Sequence, residues 1–372
     1  MKIGIMSMQR IINYGSFLQA YGLKKTIESL GDNTVEFVDY KVGNPIVSNT
    51  EKSSVPAEPK LKRMLKVIFS KDYREKRNRE IRQNEVFTTF YNKFSNEWLP
   101  ILGVTTENNY TPQLDTLVIG SDEVFNCMQY STNVGYSLQL FGNENKAKRL
   151  ISYAASFGST TLEKLTEYNK AEEIAHCLSK FNAISVRDEN SHNIVKALIN
   201  KEPVDSIDPV LLYKFDKETE KINIDLKNYL VVYAYSGRIN DEEAKAIQNF
   251  AQKHGKKTLS IGVMQAFTDI YINADPFTLL AYIKNADYVV TDTFHGTVFS
   301  IKYQIPFATI IRESNKQKIS DLLNKFSLSQ RRLSNINKIE EVLTTELDKK
   351  QICINIEKYR GNALTYLKEN LN

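Results

Sequence analysis

The sequence predicts an α/β protein with two doubly wound, Rossmann-like domains and a cleft between them. Short apolar, β-rich runs alternate with helical patterns, and strands that run directly into helices favour parallel sheets covered on both faces. At 372 residues, the chain is also longer than one hydrophobic core usually organises. Two such units joined by a linker place a cleft at the carboxyl ends of their strands.

The first domain is predicted over residues 1–204. It begins with a β-α-β unit, whose strands are "KIGIMSM" and "TVEFVDY" and whose helix is "GSFLQAYGLKKTIESLG". Gly31 is well placed to end this helix as its C-cap. Further strands are predicted at "LDTLVIG", "RLISYAAS" and "AISVRD", and each is followed by a turn and a helical pattern.

The second domain is predicted over residues 205–345. The pattern changes at "VDSIDPVLLY", where Pro203 and Pro209 flank a short extended segment. A second β-α series then runs through "YLVVYAYS", "EEAKAIQNFAQKHG", "KTLSIG", "PFTLLAYIKNA", "DYVVTD", "GTVFSIKYQ" and "PFATII". Residues 346–372 include "CINIEKYRGNALTYLKENL", which we predict to be a helix that packs back on the first domain.

A basic insert at residues 52–90 departs from this order. Within it, residues 60–84 hold ten Lys or Arg against three Asp or Glu. Its apolar residues follow the spacing of one helix face, at Leu61, Leu65, Ile68 and Phe69. Two interpretations stay open: a helix that lies in an anionic membrane interface through residues 60–71, or a solvated helix whose apolar stripe packs on the domain.

Composition narrows the classes of protein and partner. The net charge of +5 is modest for this size, so we expect no nucleic-acid partner. Cys127, Cys177 and Cys353 are widely separated and odd in number, which suits a reducing compartment and predicts no metal-ligand cluster. The apolar start is too short for a secretory signal, and no run of 18 apolar residues occurs, so we expect a cytoplasmic protein. The dinucleotide-binding and Walker glycine patterns are absent, which argues against NAD-dependent and P-loop chemistry.

His295 is the most specific candidate for chemistry. It is one of four histidines and lies in "DYVVTDTFHGTVFS", where a buried strand gives way to a helix. Its neighbours are mostly small or polar, and an imidazole serves as a general acid or base near neutral pH. The alternative is a packed core histidine. The other three histidines have no comparable setting: His176, His192 and His254.

Polar residues also follow other predicted strands. In "LVIGSDEVF", Ser121 and Asp122 either cap the next helix or face the cleft, where free amides would meet an anion or a sugar hydroxyl. Arg187, Arg238 and Arg312 each follow a strand. Three arginine forks from two domains suit a small polyanion, whereas any single one also suits a local ion pair.

Five motifs, taken in order, resemble those of the polysaccharide pyruvyl transferases. They are "NYGSFLQAYGL", "VIGSDEVF", "SVRDENS", "DPVLLY" and "DYVVTDTFHGTVFSIKYQIPF", and they extend over nearly the whole chain. The resemblance implies a GT-B-like fold, in which two Rossmann-like domains flank a cleft. It also implies transfer of a pyruvyl group from phosphoenolpyruvate to two hydroxyls of a sugar, with a ketal formed and phosphate released. No cofactor or metal is implied, because phosphoenolpyruvate is a co-substrate.

The resemblance further implies roles for individual residues. His295 corresponds to the histidine of the family and is expected to protonate the methylene carbon of phosphoenolpyruvate. Arg187 corresponds to an arginine that holds the donor, and Asp122 to an acidic residue that orients or deprotonates the acceptor hydroxyl. The expected donor contacts are Arg187, Arg238, Arg312, Gly296, Thr297 and Ser121, of which Arg238 and Arg312 are inferred from position alone. The expected acceptor contacts are Asn13, Tyr14, Gly15, Ser16 and Gln19.

We expect the acceptor to be a polyprenyl-diphosphate-linked oligosaccharide, with galactose favoured, in the biosynthesis of a bacterial capsule or exopolysaccharide. Such acceptors are built at the inner face of the cytoplasmic membrane, and the basic segment at residues 60–71 suits a protein that visits that surface. Two alternatives stay open. One is a GT-B glycosyltransferase that uses a nucleotide sugar, and the other is a non-catalytic carbohydrate-binding protein of the same fold.

Overall fold

The computed structural model describes residues 1–48, 81 and 84–372, which form two α/β units. Each unit holds one six-stranded sheet, and every strand pair in both sheets is parallel. The predicted α/β class with two doubly wound units is therefore confirmed. The basic insert lies largely outside the described residues, and its segment 60–71 lies wholly outside them.

The first sheet has the strand order β2-β1-β3-β4-β5-β6. Its strands are β1 (Lys2–Met6), β2 (Thr34–Phe37), β3 (Leu114–Asp122), β4 (Ala147–Ala155), β5 (Ser185–Val186) and β6 (Val204–Asp205). The α-helices of this part of the chain are α1 (Tyr14–Ser29), α2 (residues 84–93), α3 (Leu99–Leu102), α4 (Leu162–Glu167), α5 (Ala171–Leu178) and α6 (Glu189–Ile199). A π-helical turn, Phe94–Trp98, joins α2 to α3.

The second sheet has the order β12-β11-β10-β7-β8-β9. Its strands are β7 (Tyr229–Tyr233), β8 (Lys257–Ile261), β9 (Ile270–Ile272), β10 (Tyr288–Thr291), β11 (Phe307–Ile310) and β12 (Arg332–Leu333). The α-helices from the linker onward are α7 (Pro209–Leu212), α8 (Asp216–Thr219), α9 (Asp241–Lys253), α10 (Pro276–Lys284), α11 (Phe294–Tyr303), α12 (Lys316–Lys325), α13 (Ile339–Thr344) and α14 (Lys349–Asn370).

The strand order reverses once in each sheet. In the first sheet β2 and β3 flank β1, and in the second sheet β8 and β10 flank β7. The connections from these central strands leave in opposite directions, which opens a crevice at the carboxyl ends of the strands. The two crevices therefore mark where each unit is best suited to hold a ligand.

One apolar core joins the two units, and α1 lies at its centre. This core contains side chains of both sheets, among them Ile3 of β1 and Val231 of β7. Phe17 of α1 packs edge-on against Phe277 of α10, with 5.9 Å between ring centroids. Gly22 lets α1 approach the linker, since a Cβ atom there would lie 2.8 Å from the carbonyl oxygen of Pro209. Burial of this shared surface holds the two crevices in one relative position.

The C-terminal helix α14 contacts the first sheet. The Arg149 guanidinium donates to the carbonyl oxygen of Asn370 over 2.7 Å, and the Tyr366 hydroxyl donates to the carbonyl oxygen of Ser152 over 2.8 Å. Because β6 ends at Asp205 and pairs with β5, the first sheet extends one residue past the predicted boundary. Although α14 has 22 residues, no described helix is long and apolar enough to cross a membrane.

Candidate active site

A cavity of about 400 Å³ lies where the carboxyl ends of the two sheets face each other. Both units contribute to its lining. The first unit supplies Asn13, Ser16, Asp122, Glu123 and Arg187, and the second supplies Tyr235, Arg238, Phe294, His295 and Lys318. The cavity is therefore the shared crevice that two doubly wound units predict, and it is rich in charged side chains.

Arg187 is positioned directly after β5 and binds two carboxylates. Its Nη1 donates to Oδ2 of Asp208 over 3.0 Å, and its Nη2 donates to Oδ1 of Asp122 over 3.1 Å. The guanidinium also lies over the ring of Phe294, 4.3 Å from the ring centroid. Burial would lower the pKa of Arg187, but the charges of Asp122 and Asp208 outweigh burial and raise it. The buried Nε has no hydrogen-bond partner among the described residues.

Asp208 links Arg187 to His295, and sequence reasoning missed it. It caps α7, accepting from the backbone N–H of Val210 over 3.0 Å. Its Oδ2 also lies 3.6 Å from Nε2 of His295. Burial alone would raise the pKa of Asp208, and the neighbouring His295 and Arg187 outweigh burial and lower it. The only signal in the sequence was an aspartate before a proline in "DPVLLY", which is typical of any helix N-terminus.

His295 is the second residue of α11 and faces the first unit. Thr293 caps this helix by accepting from the backbone N–H of Gly296 over 2.9 Å. The imidazole packs against the start of α1, where a Cβ atom on Gly15 would lie 2.1 Å from Nδ1 of His295. Glycine is therefore required at position 15 for the ring to sit there. Nε2 is buried without a hydrogen-bond partner among the described residues, and at 3.6 Å its contact with Asp208 is longer than a hydrogen bond.

Asp122 ends β3 and is held as an anion. Its Oδ2 accepts from the Ser16 hydroxyl over 3.2 Å, and its Oδ1 accepts from Arg187. Burial would raise the pKa of Asp122, but the charges of Arg187 and His295 outweigh burial and lower it. A carboxylate with a lowered pKa is a weak base, so Asp122 is better suited to orient a hydroxyl than to deprotonate it.

Glu123 and Lys318 form an ion pair across the cavity, and sequence reasoning missed both. The Nζ of Lys318, on α12 of the second unit, donates to Oε1 of Glu123 from the first unit. Burial would lower the pKa of Lys318, but Glu123 outweighs burial and raises it. Lys318 is one of several lysines on a charged helix, so its sequence setting carried no distinguishing signal.

Arg238 and Arg312 differ in their access to the cavity. Arg238 lines it, and its guanidinium lies over the ring of Tyr235, 4.7 Å from the ring centroid. Arg312 does not line it, because both oxygens of Glu243 accept from its fork over 2.8 Å. Arg312 also donates to the backbone carbonyl of Arg238 over 2.7 Å. The predicted direct contact of Arg312 with the donor does not fit this geometry.

Other predicted contact residues lie beneath the cavity rather than in its wall. The Ser121 hydroxyl donates to Oε1 of Gln19 over 2.7 Å, and both side chains are wholly buried. Thr297 is also wholly buried and donates to the carbonyl oxygen of Thr293 over 3.0 Å. Gly296 packs tightly on Thr291. These side chains support the strand ends, so we do not include them among the ligand contacts.

Three of the predicted acceptor residues line one or other of two neighbouring cavities. Asn13 and Ser16 line the charged cavity, and the Asn13 Oδ1 accepts from the backbone N–H of Ser16 over 2.7 Å as the N-cap of α1. Tyr14 instead lines a neighbouring apolar pocket, where its hydroxyl donates to the carbonyl oxygen of Ala274 over 2.5 Å. Among the described residues, no group of three or more His, Cys, Asp or Glu side chains is arranged to hold a metal ion.

Comparison with solved structures identifies the fold. The Arabidopsis thaliana protein UGT89C1 complexed with quercetin is similar with a TM-score of 0.50 and 10% identity, over 100% of this chain and 99% of that chain. UDP-GlcNAc 2-epimerase from Neisseria meningitidis bound to UDP-GlcNAc has a TM-score of 0.47 and 10% identity, over 100% and 99% of the two chains. With its two parallel six-stranded sheets, the chain has the GT-B-like fold.

Comparison with protein families extends the result from fold to family. No curated protein matches the sequence. A family model described as polysaccharide pyruvyl transferase matches residues 13–314, which include α1, Arg187, Asp208 and His295. The chain is therefore a transferase and belongs to the polysaccharide pyruvyl transferase family.

Proposed function

We propose that the protein transfers the pyruvyl group of phosphoenolpyruvate to two hydroxyls of one sugar, forming a ketal and releasing phosphate. The observation that carries this proposal is the convergence of Arg187 from one unit with His295 and Lys318 from the other on a single cavity. A guanidinium and an ammonium suit a donor that carries both a phosphate and a carboxylate. An imidazole beside them suits a reaction that begins with proton transfer to carbon.

The proposed chemistry starts at the carbon–carbon double bond of the donor. His295, in its protonated form, gives a proton to the methylene carbon, which becomes a methyl group. Positive charge then develops at the adjacent carbon, and the oxygen of the first sugar hydroxyl bonds there. The carbon–oxygen bond to phosphate breaks, phosphate leaves with the electron pair, and the second hydroxyl bonds to the same carbon. Of the two hydroxyl protons, one restores His295 and the other leaves with phosphate or solvent.

The charged neighbours have distinct tasks in this proposal. Asp208 is wholly enclosed and does not line the cavity, so it acts as a positioning residue that faces Nε2 of His295. Its negative charge compensates a positive imidazole ring, as it compensates Arg187. Lys318 and Arg187 stabilise charge that grows on the departing phosphate. Asp122 and Ser16, which are hydrogen-bonded to each other, orient an acceptor hydroxyl.

A phosphate-release assay tests the proposed reaction. Purified protein is incubated with phosphoenolpyruvate and a galactoside, and mass spectrometry follows the acceptor for the mass of a pyruvate ketal. We expect phosphate and ketal in equal amounts. Release of a nucleoside diphosphate from a nucleotide sugar, with no phosphate from phosphoenolpyruvate, would instead establish a glycosyltransferase. A folded protein that turns over neither donor would support the non-catalytic alternative.

We further propose that the natural acceptor is a galactose-containing oligosaccharide linked to polyprenyl diphosphate, used for a surface polysaccharide at the cytoplasmic membrane face. The basic composition of residues 60–84 supports this proposal. A variant that lacks residues 60–71 should bind anionic phospholipid vesicles more weakly, while its activity on a water-soluble galactoside is retained. Unchanged binding to vesicles and unchanged activity on a lipid-linked acceptor would contradict the membrane proposal.

A further inference from the structure

Arg238 has fewer partners than the other cations of the charged cavity. Arg187 donates to two carboxylates, and Lys318 donates to Glu123. Among the described residues, the carboxylate nearest to the Arg238 guanidinium is that of Asp292, with 3.9 Å between Nη1 and Oδ2. That distance is longer than a hydrogen bond, and the Arg238 side chain is 36% exposed. Arg238 therefore keeps its hydrogen-bond donors for a ligand, whereas Arg187 and Lys318 already share theirs with protein carboxylates.

Asp292 is a wholly buried aspartate that directly follows β10. Its Oδ1 accepts from the backbone N–H of Tyr235 over 3.2 Å, whereas its Oδ2 has no hydrogen-bond partner among the described residues. Nη1 of Arg238 and Nε of Arg312 lie 3.9 Å and 3.7 Å from this Oδ2 atom. Burial raises the pKa of Asp292, although the Tyr235 N–H and both arginines act to lower it. A buried carboxylate oxygen without a hydrogen bond is costly, so its position beside two guanidinium groups needs a functional explanation.

The aspartate at the other end of β10 shows that the sheet does not require this arrangement. Asp287 precedes β10, and its Oδ2 accepts from the backbone N–H of Tyr229 over 3.0 Å. Its Oδ1 lies 3.0 Å from Nζ of Lys256. Both aspartates thus bind the backbone of the segment that contains β7, but only Asp287 has a close partner for each oxygen. The incompletely paired carboxylate is Asp292, at the carboxyl end of the strand, which is the end that faces the cavity.

The residues around Arg238 hold it at the cavity wall. Its guanidinium lies over the ring of Tyr235, and its backbone carbonyl accepts from Arg312 over 2.7 Å. Arg238 and Tyr235 line the cavity, whereas Asp292 and Arg312 do not, so Asp292 acts on a ligand only through Arg238. Because Nη1 is the atom nearest to Asp292, the remaining N–H groups of the guanidinium are left for a second anion. A planar carboxylate fits such a fork as a bidentate pair.

The donor in the proposed reaction carries two anionic groups with different fates. Its phosphate leaves, and Arg187 and Lys318 are the cations assigned to that group above. Its carboxylate stays on the same carbon in the ketal and has no cation assigned to it. We propose that Arg238 binds the carboxylate of phosphoenolpyruvate and that Asp292 is the positioning residue that orients the Arg238 guanidinium. This inference rests on the proposed function and assigns each anionic group of the donor to its own cations.

The two anionic groups have different kinetic signatures. The carboxylate carries its charge before, during and after the transfer, so a cation that binds it stabilises the ground state and the transition state about equally. Loss of such a contact raises KM and leaves kcat nearly unchanged. Loss of a contact to the departing phosphate lowers kcat, because charge grows on that group in the transition state. A rise in KM without a fall in kcat therefore marks a contact with the carboxylate.

Calorimetric titration without an acceptor tests which group Arg238 binds. The ligands are phosphoenolpyruvate and vinyl phosphate, which is the same enol phosphate without the carboxylate. Arg238→Gln should raise the Kd of phosphoenolpyruvate roughly tenfold to hundredfold, since a charge-assisted pair is lost. The Kd of vinyl phosphate should change by less than about twofold. An equal loss for both ligands would assign Arg238 to the phosphate and overturn the inference, as would an unchanged Kd of phosphoenolpyruvate.

A double-mutant cycle tests whether Asp292 acts through Arg238. Asp292→Asn keeps an acceptor for the Tyr235 N–H and removes the charge, so KM for phosphoenolpyruvate should rise roughly threefold to tenfold while kcat is retained. In the Arg238→Gln background the same change should have no further effect on KM. Asp287→Asn is the matched control and should leave KM unchanged. If Asp292→Asn does not fold, Asp292→Ser takes its place, because serine is smaller and also keeps an acceptor.

Additive effects in the cycle would show that Asp292 supports the fold without positioning Arg238. A rise in KM as large in Asp287→Asn as in Asp292→Asn would have the same meaning. Either result would overturn the role of Asp292.

Two results separate this inference from the proposed function. Formation of phosphate and ketal by a folded Arg238→Gln variant with the native KM would overturn the inference and leave pyruvyl transfer in place. Binding of phosphoenolpyruvate that depends on Arg238, with no phosphate released in the presence of a galactoside, would retain the carboxylate contact and overturn the proposed reaction.

Discussion

Arg187 and Arg312 occupy similar places in the two units, yet only Arg187 lines the charged cavity. Each follows a strand at the carboxyl edge of a parallel sheet, β5 for Arg187 and β11 for Arg312. Arg187 divides its fork between Asp122 and Asp208, which come from different segments. Arg312 gives its fork to both oxygens of Glu243 and to a backbone carbonyl, and its Nε lies 3.7 Å from Oδ2 of Asp292.

The partners of an arginine, rather than its place after a strand, decide whether it lines the cavity. The bidentate pair with Glu243, together with the contact with Asp292, leaves little of the Arg312 guanidinium for another anion. The Arg187 region consists of Arg187, the carboxylates of Asp122 and Asp208, and His295, and three of these side chains line the cavity: Asp122, Arg187 and His295. Four experiments test whether the Arg187 region acts in the chemistry and the Arg312 region only stabilises the fold.

The largest effect is expected from His295→Gln in the Arg187 region. Loss of the general acid should lower kcat for phosphate release by ~10²- to 10⁴-fold. His254→Gln is the matched control, because His254 contacts Glu340 and does not line the cavity. Near-normal turnover in folded His295→Gln would remove His295 from the mechanism.

Paired Arg→Lys changes test the comparison directly. Arg187→Lys keeps the charge but loses the fork, so kcat/KM for phosphoenolpyruvate should fall roughly tenfold to hundredfold. Arg312→Lys should leave kcat/KM nearly unchanged and lower the free energy of unfolding by about 1–3 kcal/mol, because hydrogen bonds to Glu243 are lost. Steady-state kinetics and urea denaturation measure the two effects. The reverse pattern would show that Arg312 contacts the donor.

Lowering the pH should reduce the contribution of the Arg187 region to the free energy of unfolding, within a defined pH range. The pKa values of Asp122 and Asp208 are both lowered in the folded protein, whereas in the unfolded chain they are near ~3.9. Their contribution to stability is therefore fully present above the unfolded value and is lost as the pH falls through the folded values.

The Asp208→Asn variant tests the expected direction of this pH dependence, because asparagine keeps the helix cap and removes the charge. The variant should have a lower free energy of unfolding than the native protein at pH 7, and the gap should narrow as the pH falls below about 4. Urea denaturation at several pH values measures the gap, with the exposed Asp225→Asn as control. A gap that stays constant down to pH 3 would contradict the assignment.

The smallest effect is expected from Glu123→Gln. Glu123 pairs with Lys318, so a donor phosphate at Lys318 has to compete with this carboxylate. Removing its charge should lower KM for phosphoenolpyruvate by roughly twofold to fivefold, which matches the energy of a partly exposed ion pair. A raised KM would mean that Glu123 positions Lys318 for the donor instead of competing with it.

Prediction from the sequence succeeded where the evidence was local. The alternation of apolar runs and helical patterns predicted two doubly wound units, and the sheets confirm them. The motifs predicted the family, and the family match confirms it. The roles of His295, Arg187 and Asp122 stay predictions, although the structure does bring all three to one cavity.

The elements and their order could be predicted from the sequence, because hydrophobic periodicity and turn residues act over a few neighbouring positions. Which polar side chains meet depends instead on how the chain packs. Packing pairs Glu123 with Lys318, 195 residues further along the chain, and pairs Arg312 with Glu243. It also places Asp208 in contact with both Arg187 and His295. A buried charge pairs with whichever partner the packed chain brings within hydrogen-bond distance, and that distance has no counterpart in sequence spacing.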